Sequence, residues 1–285
     1  MQHKLIELAQ KLLPAAKTVQ QARSEAWCLL EKTTGKSRAS LLATTTSLTK
    51  EQQEQLNTMV DERVNDNKPL AYILGTIPFV NLELLTRPPI LIPRQETEEM
   101  VCWIIKTFAA HAQEPLVVFD LCTGSGCIAL ALAKAFPRWH ITGIDINPAA
   151  LALAEDNKKL TGLHNVTFKQ GSIFAPNDWA TRCDLIVSNP PYINRASINL
   201  VGHDVLAWED ENALFANNNG WAFYEEIAQL GKQILTPTNT SHPNLIWEFG
   251  VDQVIMDKFL LQSGYRSVEI NKDSGGLDRW AGCQV

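Results

Sequence analysis

Residues 120–126 read Asp-Leu-Cys-Thr-Gly-Ser-Gly and separate two apolar stretches. The stretch at 116–120 predicts a buried strand, and the alanine- and leucine-rich stretch from Cys127 to Phe136 predicts a helix. Glycines in such a turn let the backbone bend tightly and let a ligand approach it closely, and a helix N-terminus then offers free N–H groups. The turn therefore predicts a nucleotide-like cofactor, although a strand–helix turn that binds no ligand can use the same residues. The candidate cofactor-binding residues are Cys122, Thr123, Gly124, Ser125 and Gly126.

A second signal is an acidic residue at the end of the next predicted strand, which runs from Ile141 to Ile146. In doubly wound folds, an acidic residue at the position of Asp145 accepts hydrogen bonds from both ribose hydroxyls. Asp145 or Asn147 could instead cap the helix that Pro148 opens. Together the glycine loop and Asp145 indicate a cofactor that contains adenosine, and they do not distinguish NAD from S-adenosylmethionine.

The rest of the C-terminal part repeats this alternation of strand and helix. Short apolar stretches predict further strands at 166–168, 184–188 and 244–249. Strands of this kind separated by helices imply a parallel sheet covered on both faces. We therefore expect a Rossmann-like α/β catalytic domain over residues 96–285, beginning with a helix from about Glu96 to Ala110.

The N-terminal part has a different pattern. Residues 1–75 show apolar residues at helical spacing and no strand pattern, which predicts a small helical domain. Within it, Thr49 followed by Glu51 and Gln52 predicts a capping box that opens a helix. Residues 76–95 suggest two short strands with Pro88-Pro89 between them, and we expect this segment to be a β-hairpin linker.

Composition and charge narrow the class of protein. Of 285 residues, 45% are hydrophobic, as in an ordinary globular protein. The net charge is −6, and this acidic balance argues against nucleic acid as the main partner, because phosphate binding favours a basic surplus. No apolar run approaches the length of a membrane span, and the N-terminus does not resemble a signal peptide. The six cysteines lack zinc-ligand spacing. We expect a cytoplasmic protein with reduced cysteines, no metal and no membrane association.

Residues 188–192 read Ser-Asn-Pro-Pro-Tyr and follow a predicted parallel strand, at the edge of the sheet where ligands bind. The prolines stiffen the backbone and remove two N–H donors. The Asn189 side-chain oxygen and the Pro190 carbonyl can hold both hydrogens of an –NH2 group while Tyr192 packs on its flat face. Asn189, Pro190 and Tyr192 are therefore the candidate catalytic residues, and with Pro191 they form the candidate substrate site.

The Asn-Pro-Pro-Tyr tetrad resembles the signature of S-adenosylmethionine-dependent amino-methyltransferases, which act on amino groups of nucleic-acid bases or on the glutamine amide. These planar nitrogens are weak nucleophiles, so the enzyme must mainly align the nitrogen with the methyl–sulfur axis. The methylated nitrogen is acidic and can lose its proton to water. A histidine base is therefore unnecessary, and none lies near the tetrad in the sequence.

Over nearly its whole length, the chain resembles the HemK/PrmC family, the glutamine-N5 methyltransferases of peptide-chain release factors. The resemblance is carried by the tetrad, by Pro69 to Gly75, by Leu91-Ile-Pro-Arg-Gln-Glu-Thr-Glu98 and by Trp247-Glu-Phe-Gly250. It implies a class I S-adenosylmethionine-dependent methyltransferase domain. It also implies that the N-terminal domain holds a release factor while the glutamine of its Gly-Gly-Gln loop enters the site.

The resemblance adds two cofactor contacts, Ile173 beside the adenine and Asn189. The chain departs from the family pattern at five places. Cys122 stands for glycine, Gln95 and Asp210 stand for prolines, Ser172 stands for an acidic residue, and Val80-Asn81 stands for an aromatic–glycine pair.

Three other classes of protein share some of these features. A DNA or RNA amino-methyltransferase would use the same tetrad, and the acidic charge and the absence of a visible recognition domain count against it. A nicotinamide dehydrogenase would use the glycine loop and Asp145, and the tetrad counts against it. A non-catalytic binding protein would keep the fold, and the intact Asn189 counts against it.

Overall fold

The computed structural model describes residues 2–43, 47–237 and 242–285. The chain divides into two compact units. The first comprises Met1–Thr76 with His203–Trp208, and the second comprises Ile77–Gly202 with Glu209–Val285.

The first unit is helical, as its apolar spacing predicts. Thr49 opens a helix with the predicted capping box: Thr49 Oγ1 accepts from the Gln52 backbone N–H at 3.2 Å, and Gln52 Oε1 accepts from the Thr49 N–H at 3.1 Å. A buried ion pair joins two of the helices, with Arg63 Nε 2.9 Å from Glu25 Oε2. The helices of this unit are α1 Gln2–Leu12, α2 Val19–Thr34, α3 Arg38–Ala43, α4 Lys50–Val64 and α5 Leu70–Leu74.

A β-hairpin opens the second unit, with strands β1 Thr76–Phe79 and β2 Leu82–Leu85. A hairpin lies within the predicted linker, but the predicted turn and second strand are wrong. The chain reverses at Val80-Asn81, where Val80 adopts φ 53°, and Pro88-Pro89 lies beyond the second strand. The Val80 N–H donates to Glu98 Oε1 at 2.5 Å, so a carboxylate from outside the hairpin holds the turn. The apolar run at 90–92 packs as irregular chain and forms no strand.

Seven strands form the central sheet in the order β10-β11-β9-β6-β3-β4-β5. The five predicted strands pair in parallel, while β10 and β11 add an antiparallel edge that the sequence did not indicate. Chain order reverses at the central strand β3, the switch point beside which open α/β sheets bind ligands. The strands are β3 Val117–Leu121, β4 His140–Asp145, β5 Val166–Gln170, β6 Leu185–Ser188, β9 Leu245–Glu248, β10 Arg266–Lys272 and β11 Asp278–Gln284.

Helices and a small two-stranded sheet complete the chain. The helix α6, predicted from about Glu96 to Ala110, is observed at Gln95–Thr107, and α7 at Cys127–Ala135 follows the glycine loop. The short strands β7 Ile193–Asn194 and β8 Phe215–Ala216 pair in parallel just after the tetrad. The remaining helices are α8 Pro148–Thr161, α9 His203–Trp208, α10 Glu211–Leu214, α11 Ala222–Ile234 and α12 Met256–Gln262.

Helix α9 groups with the first unit although it is far from it in sequence. Trp208 Nε1 donates to the Asp66 carbonyl at 3.1 Å, and Lys68 Nζ lies 5.6 Å from the centre of the Trp208 ring. The helical unit is therefore completed by a segment inserted between two parts of the second unit, which its sequence pattern did not indicate.

Candidate active site

The loop after β3 is organised by a buried carboxyl group. Asp120 Oδ2 accepts from Thr123 Oγ1 at 2.5 Å and from the Ala129 backbone N–H at 3.1 Å, so it holds the loop against the first turn of α7. Burial raises the pKa of Asp120 to about 7. Its other oxygen, Oδ1, has no partner in the part of the chain that the structure describes.

The loop itself uses left-handed backbone at three positions. Gly124 has φ 55° and Gly126 has φ 81°. A Cβ at Gly126 would lie 2.8 Å from the Phe168 ring, so this glycine serves close packing of the loop on the sheet. Cys122 has φ 60°, the conformation that glycine adopts most easily, which explains why a glycine fits the family pattern there.

Asp145 ends β4 and faces this loop. Its Oδ2 accepts from the Gly124 N–H at 2.8 Å and its Oδ1 from the Asn147 N–H at 2.9 Å, which leaves lone pairs on both oxygens. Burial is the largest effect and raises the pKa of Asp145 above its ordinary value. Three backbone hydrogen bonds have smaller effects that lower the pKa and only partly offset burial. Asn147 caps α8 through the Ala149 N–H at 2.9 Å, so the cap belongs to Asn147 and Asp145 remains available to a ligand.

A cleft with about 800 Å³ of open space lies at this end of the sheet. It is lined by six of the predicted site residues, namely Cys122, Gly124, Asp145, Ile173, Asn189 and Pro191. The other predicted residues, Thr123, Ser125, Gly126, Pro190 and Tyr192, are not among the lining residues. Thr123 and Ser125 belong to the loop but are buried. The Thr123 hydroxyl donates to Asp120, and the Ser125 backbone carbonyl accepts from Asn157 Nδ2.

The residues of the cleft fit S-adenosylmethionine. Asp145 can accept from two vicinal hydroxyls, and Ile146, Ile173 and Phe174 offer apolar surface to a flat base. S-adenosylmethionine carries an adenine and a ribose diol, which match these two features.

The tetrad follows β6, and Asn189 reaches the cleft from there. Asn189 Nδ2 donates to Thr97 Oγ1 at 2.9 Å, and Thr97 Oγ1 donates to Glu248 Oε2 at 2.5 Å. Thr97 is 2% exposed and Glu248 is 1% exposed, so this chain of bonds is shielded from water. Burial is the main cause that raises the pKa of Glu248 to about 7.

Tyr192 lies in a slot formed by two glycines. A Cβ at Gly250 would lie 2.8 Å from the Tyr192 ring, and one at Gly220 would lie 2.3 Å from the Tyr192 carbonyl oxygen. Gln253 Nε2 donates to that same carbonyl at 3.3 Å. The hydroxyl is 3.5 Å from Glu248 Oε1, the outer limit of a hydrogen bond, and burial raises the pKa of Tyr192. Close packing against Gly250 therefore restricts the position of the ring.

Sequence reasoning missed several residues of the site. Thr97 and Glu248 stood within segments that carry the family resemblance, but no role was assigned to them. Glu248 had a usable signal, since it is an acidic residue at the carboxyl end of a buried parallel strand. The cleft residues Ile90 and Phe223 come from a distant loop and from α11 and carried no local signal.

Two departures from the family pattern take on local structural roles. Asp210 caps α10, with Oδ1 accepting from the Asn212 N–H at 2.9 Å, and its Oδ2 accepts from Asn147 Nδ2 at 3.2 Å. Ser172 Oγ accepts from the Phe174 N–H at 3.2 Å, which shapes the turn beside Ile173. Both residues line the cleft.

No helix in the described ranges is long and apolar enough to cross a bilayer. Across residues 2–43, 47–237 and 242–285, no three His, Cys, Asp or Glu side chains group as a metal site would require. His203, the nearest histidine downstream of the tetrad, is exposed in α9.

Comparison with known proteins agrees with this geometry. The PrmC N-terminal domain family matches residues 4–75, and a methyltransferase domain family matches residues 113–232. The hMettl16 catalytic domain in complex with MAT2A 3'UTR hairpin 6 superposes with a TM-score of 0.52 at 14% identity, covering 85% of each chain, which shows the shared fold.

Two curated relatives extend the match. The release factor glutamine methyltransferase of Fusobacterium nucleatum is 36% identical over 80% of this chain and 63% of its own length. The release factor glutamine methyltransferase of Salmonella typhimurium is 37% identical over 90% of both chains. The protein has a class I methyltransferase fold, and S-adenosylmethionine is its methyl donor. The chain belongs to the family of release factor glutamine methyltransferases.

Proposed function

We propose that this enzyme transfers a methyl group from S-adenosylmethionine to the side-chain amide nitrogen, N5, of the glutamine in the Gly-Gly-Gln loop of peptide-chain release factors. The observation that carries the proposal is the position of Asn189 and Pro191, which line the cleft that also contains Asp145. A planar –NH2 group bound by the tetrad would lie beside the bound cofactor.

The predicted site residues would have separate roles in binding the cofactor and in orienting the target amide. Asp145, Ile173 and the loop from Cys122 to Gly126 hold the cofactor, whose sulfonium supplies an electrophilic methyl group. Asn189 Oδ1 and the Pro190 carbonyl accept the two amide hydrogens, which orients the nitrogen and stabilises the positive charge that develops on it. Tyr192 supports the flat face of the amide and Pro191 closes the cleft beside Asn189. The extra proton leaves to water after transfer.

The substrate-holding surface lies, in this proposal, on the N-terminal helical domain, residues 1–75, joined by the linker 76–95 to the catalytic domain 96–285. A glutamine side chain offers few atoms for binding, so most of the binding energy must come from contacts elsewhere on the release factor. The enzyme would act in the cytoplasm, where release factors meet ribosomes, and would form no stable complex with nucleic acid.

The test is methyl transfer from radiolabelled S-adenosylmethionine to four acceptors side by side: intact release factor, a short Gly-Gly-Gln peptide, duplex DNA and ribosomal RNA. Intact factor should be labelled on one glutamine, located by mass spectrometry, and the peptide should be a much poorer substrate. Label in DNA or RNA and none in the factor would refute the protein substrate and support a nucleic-acid amino-methyltransferase. The Asn189→Ala enzyme is the control for background transfer.

A further inference from the structure

We propose that Thr97 and Glu248 are positioning residues that fix the orientation of the Asn189 amide, so that its oxygen and not its nitrogen faces the substrate. The basis is the buried chain of hydrogen bonds from Asn189 Nδ2 to Thr97 Oγ1 to Glu248 Oε2, with lengths of 2.9 and 2.5 Å. The inference rests on the proposed role of Asn189 as an acceptor for the target amide.

The direction of this chain follows from the number of protons available. A carboxylate only accepts hydrogen bonds, and a threonine hydroxyl has one proton to donate. When Glu248 is ionised, the Thr97 proton points to Glu248, and the Thr97 oxygen can then only accept from Asn189. Asn189 must therefore turn its –NH2 towards Thr97, which directs Oδ1 away from it. Along the described ranges, no donor occupies Asn189 Oδ1.

The orientation matters because the two ends of an asparagine amide have opposite chemistry. A methyl-accepting –NH2 group needs an acceptor, and the Asn189 oxygen provides one. If Asn189 rotated by half a turn, its own –NH2 would face the substrate –NH2, and neither group could accept. The chain of hydrogen bonds from Asn189 through Thr97 to Glu248, called the relay below, favours the productive orientation.

Protonation of Glu248 would reverse the direction of the hydrogen bonds in the relay. A neutral carboxyl group can donate to Thr97, which frees the Thr97 proton to donate to Asn189 Oδ1 and so favours the unproductive orientation. The titration of Glu248 also depends on its neighbours. The other titratable or charged groups around it come from α6, α7, α11, β11 and the segment after β6, and they are Glu96, Cys127, Tyr224, Arg279 and Tyr192. Arg279 donates to Asp273 at 3.0 Å, so its charge is shared with that acid.

A matched pair of substitutions at Thr97 tests the relay. Thr97→Val keeps the shape and removes the hydroxyl, and Thr97→Ser keeps the hydroxyl. With release factor as the substrate, Thr97→Val should lower kcat about tenfold, a factor that corresponds to about 1.4 kcal/mol. Its KM for the factor and its dissociation constant for S-adenosylmethionine should change less than threefold. Thr97→Ser should retain most of wild-type kcat.

The second variant is Glu248→Gln, which cannot titrate: its amide oxygen can replace Oε2 and accept from Thr97, while its –NH2 takes the place of Oε1 and faces the Tyr192 hydroxyl. Wild-type kcat should fall on the acid side as Glu248 gains its proton, and Glu248→Gln should lose this acid limb while keeping kcat within about threefold at pH 8. Unchanged kcat in Thr97→Val would overturn the relay, as would equal losses in the Val and Ser variants, or an acid limb that persists in Glu248→Gln. Wild-type enzyme that fails to label the factor would instead refute the proposed function, so the two failures are distinguishable.

Discussion

The backbone N–H of Gly124 donates to the Asp145 carboxylate at 2.8 Å, and this bond joins the loop after β3 to the end of β4. The same carboxylate accepts from the Asn147 N–H at 2.9 Å, so two backbone groups orient it before any ligand binds. Two neighbouring parallel strands thus present a glycine loop and a fixed acceptor to one cleft. The cofactor site is preorganised by the backbone of the sheet edge.

Replacing Asp145 with alanine should weaken S-adenosylmethionine binding by roughly 10- to 1,000-fold, because one or two hydrogen bonds to a charged group are lost. Isothermal titration measures the change. Asp210→Asn is the matched control, since it removes a second carboxylate from the cleft but keeps an oxygen that can cap α10. The control should bind within a few-fold of wild type. Equal losses in both variants would mean that general negative charge, and not Asp145 itself, holds the cofactor.

Replacing Asn189 with alanine should abolish turnover and leave cofactor affinity nearly intact. The substitution removes the proposed acceptor for the target amide, while Asp145 and the glycine loop remain. The measurement is single-turnover methyl transfer to release factor, paired with titration of S-adenosylmethionine. Tyr192→Ala should be milder, because it removes packing and leaves both acceptors. Wild-type kcat in Asn189→Ala would remove this residue from the mechanism.

The sequence was most informative where a function needs a local pattern. The glycine loop, Asp145 at a strand end and the residues of the tetrad are contiguous motifs, and the five parallel strands are short apolar runs. The edge strand β10 was missed because it has no buried face: all seven of its residues, Arg266–Lys272, are at least partly exposed. The strand β11 was missed although it is mostly buried, because charged Asp278 and Arg279 and a glycine interrupt its apolar residues.

The sequence was least informative where the site is assembled from distant parts. Thr97, Asn189 and Glu248 lie on three separate elements, and only the fold brings them within hydrogen-bond distance. The hairpin turn was misplaced because Pro88-Pro89 is a strong turn signal, whereas the true turn uses Val80 in a left-handed conformation that β-branched residues rarely adopt. The Glu98 carboxylate that accepts from the Val80 N–H helps to stabilise that conformation.

Replacing Gly250 with alanine should reduce activity through Tyr192, with little effect on cofactor binding. The new Cβ would lie 2.8 Å from the ring carbons Cδ2 and Cε2, so the ring must move out of its slot. We expect a loss of kcat similar to that in Tyr192→Ala. Val251→Ala is the control, because it changes the next residue along the chain, which is 54% exposed. A Gly250→Ala enzyme with wild-type kcat would show that the position of the Tyr192 ring is not critical.

The last prediction concerns stability and pH. Burial raises the pKa of Glu248 from its ordinary 4.5 to about 7, so the folded protein keeps this proton over a range where the unfolded chain has lost it. The folded state then binds more protons, and stability falls as pH rises through this window. Below about pH 4.5 both states are protonated and the penalty vanishes, and above about pH 7 both are ionised and it is constant. At about 1.4 kcal/mol for each pH unit, the penalty is about 3 kcal/mol.

Glu248→Gln removes the titration and keeps the shape of the side chain. Urea unfolding of both proteins between pH 5 and 8 should show the variant gaining on wild type by up to about 3 kcal/mol as pH rises. Burial also raises the pKa of Asp120 to about 7, but Asp120 is present in both proteins, so we expect its contribution to cancel in the comparison. A constant difference between the two proteins across this range would mean that Glu248 ionises as readily in the folded chain as in the unfolded one. The buried carboxylate that orders Thr97 and Asn189 would then carry no cost in stability.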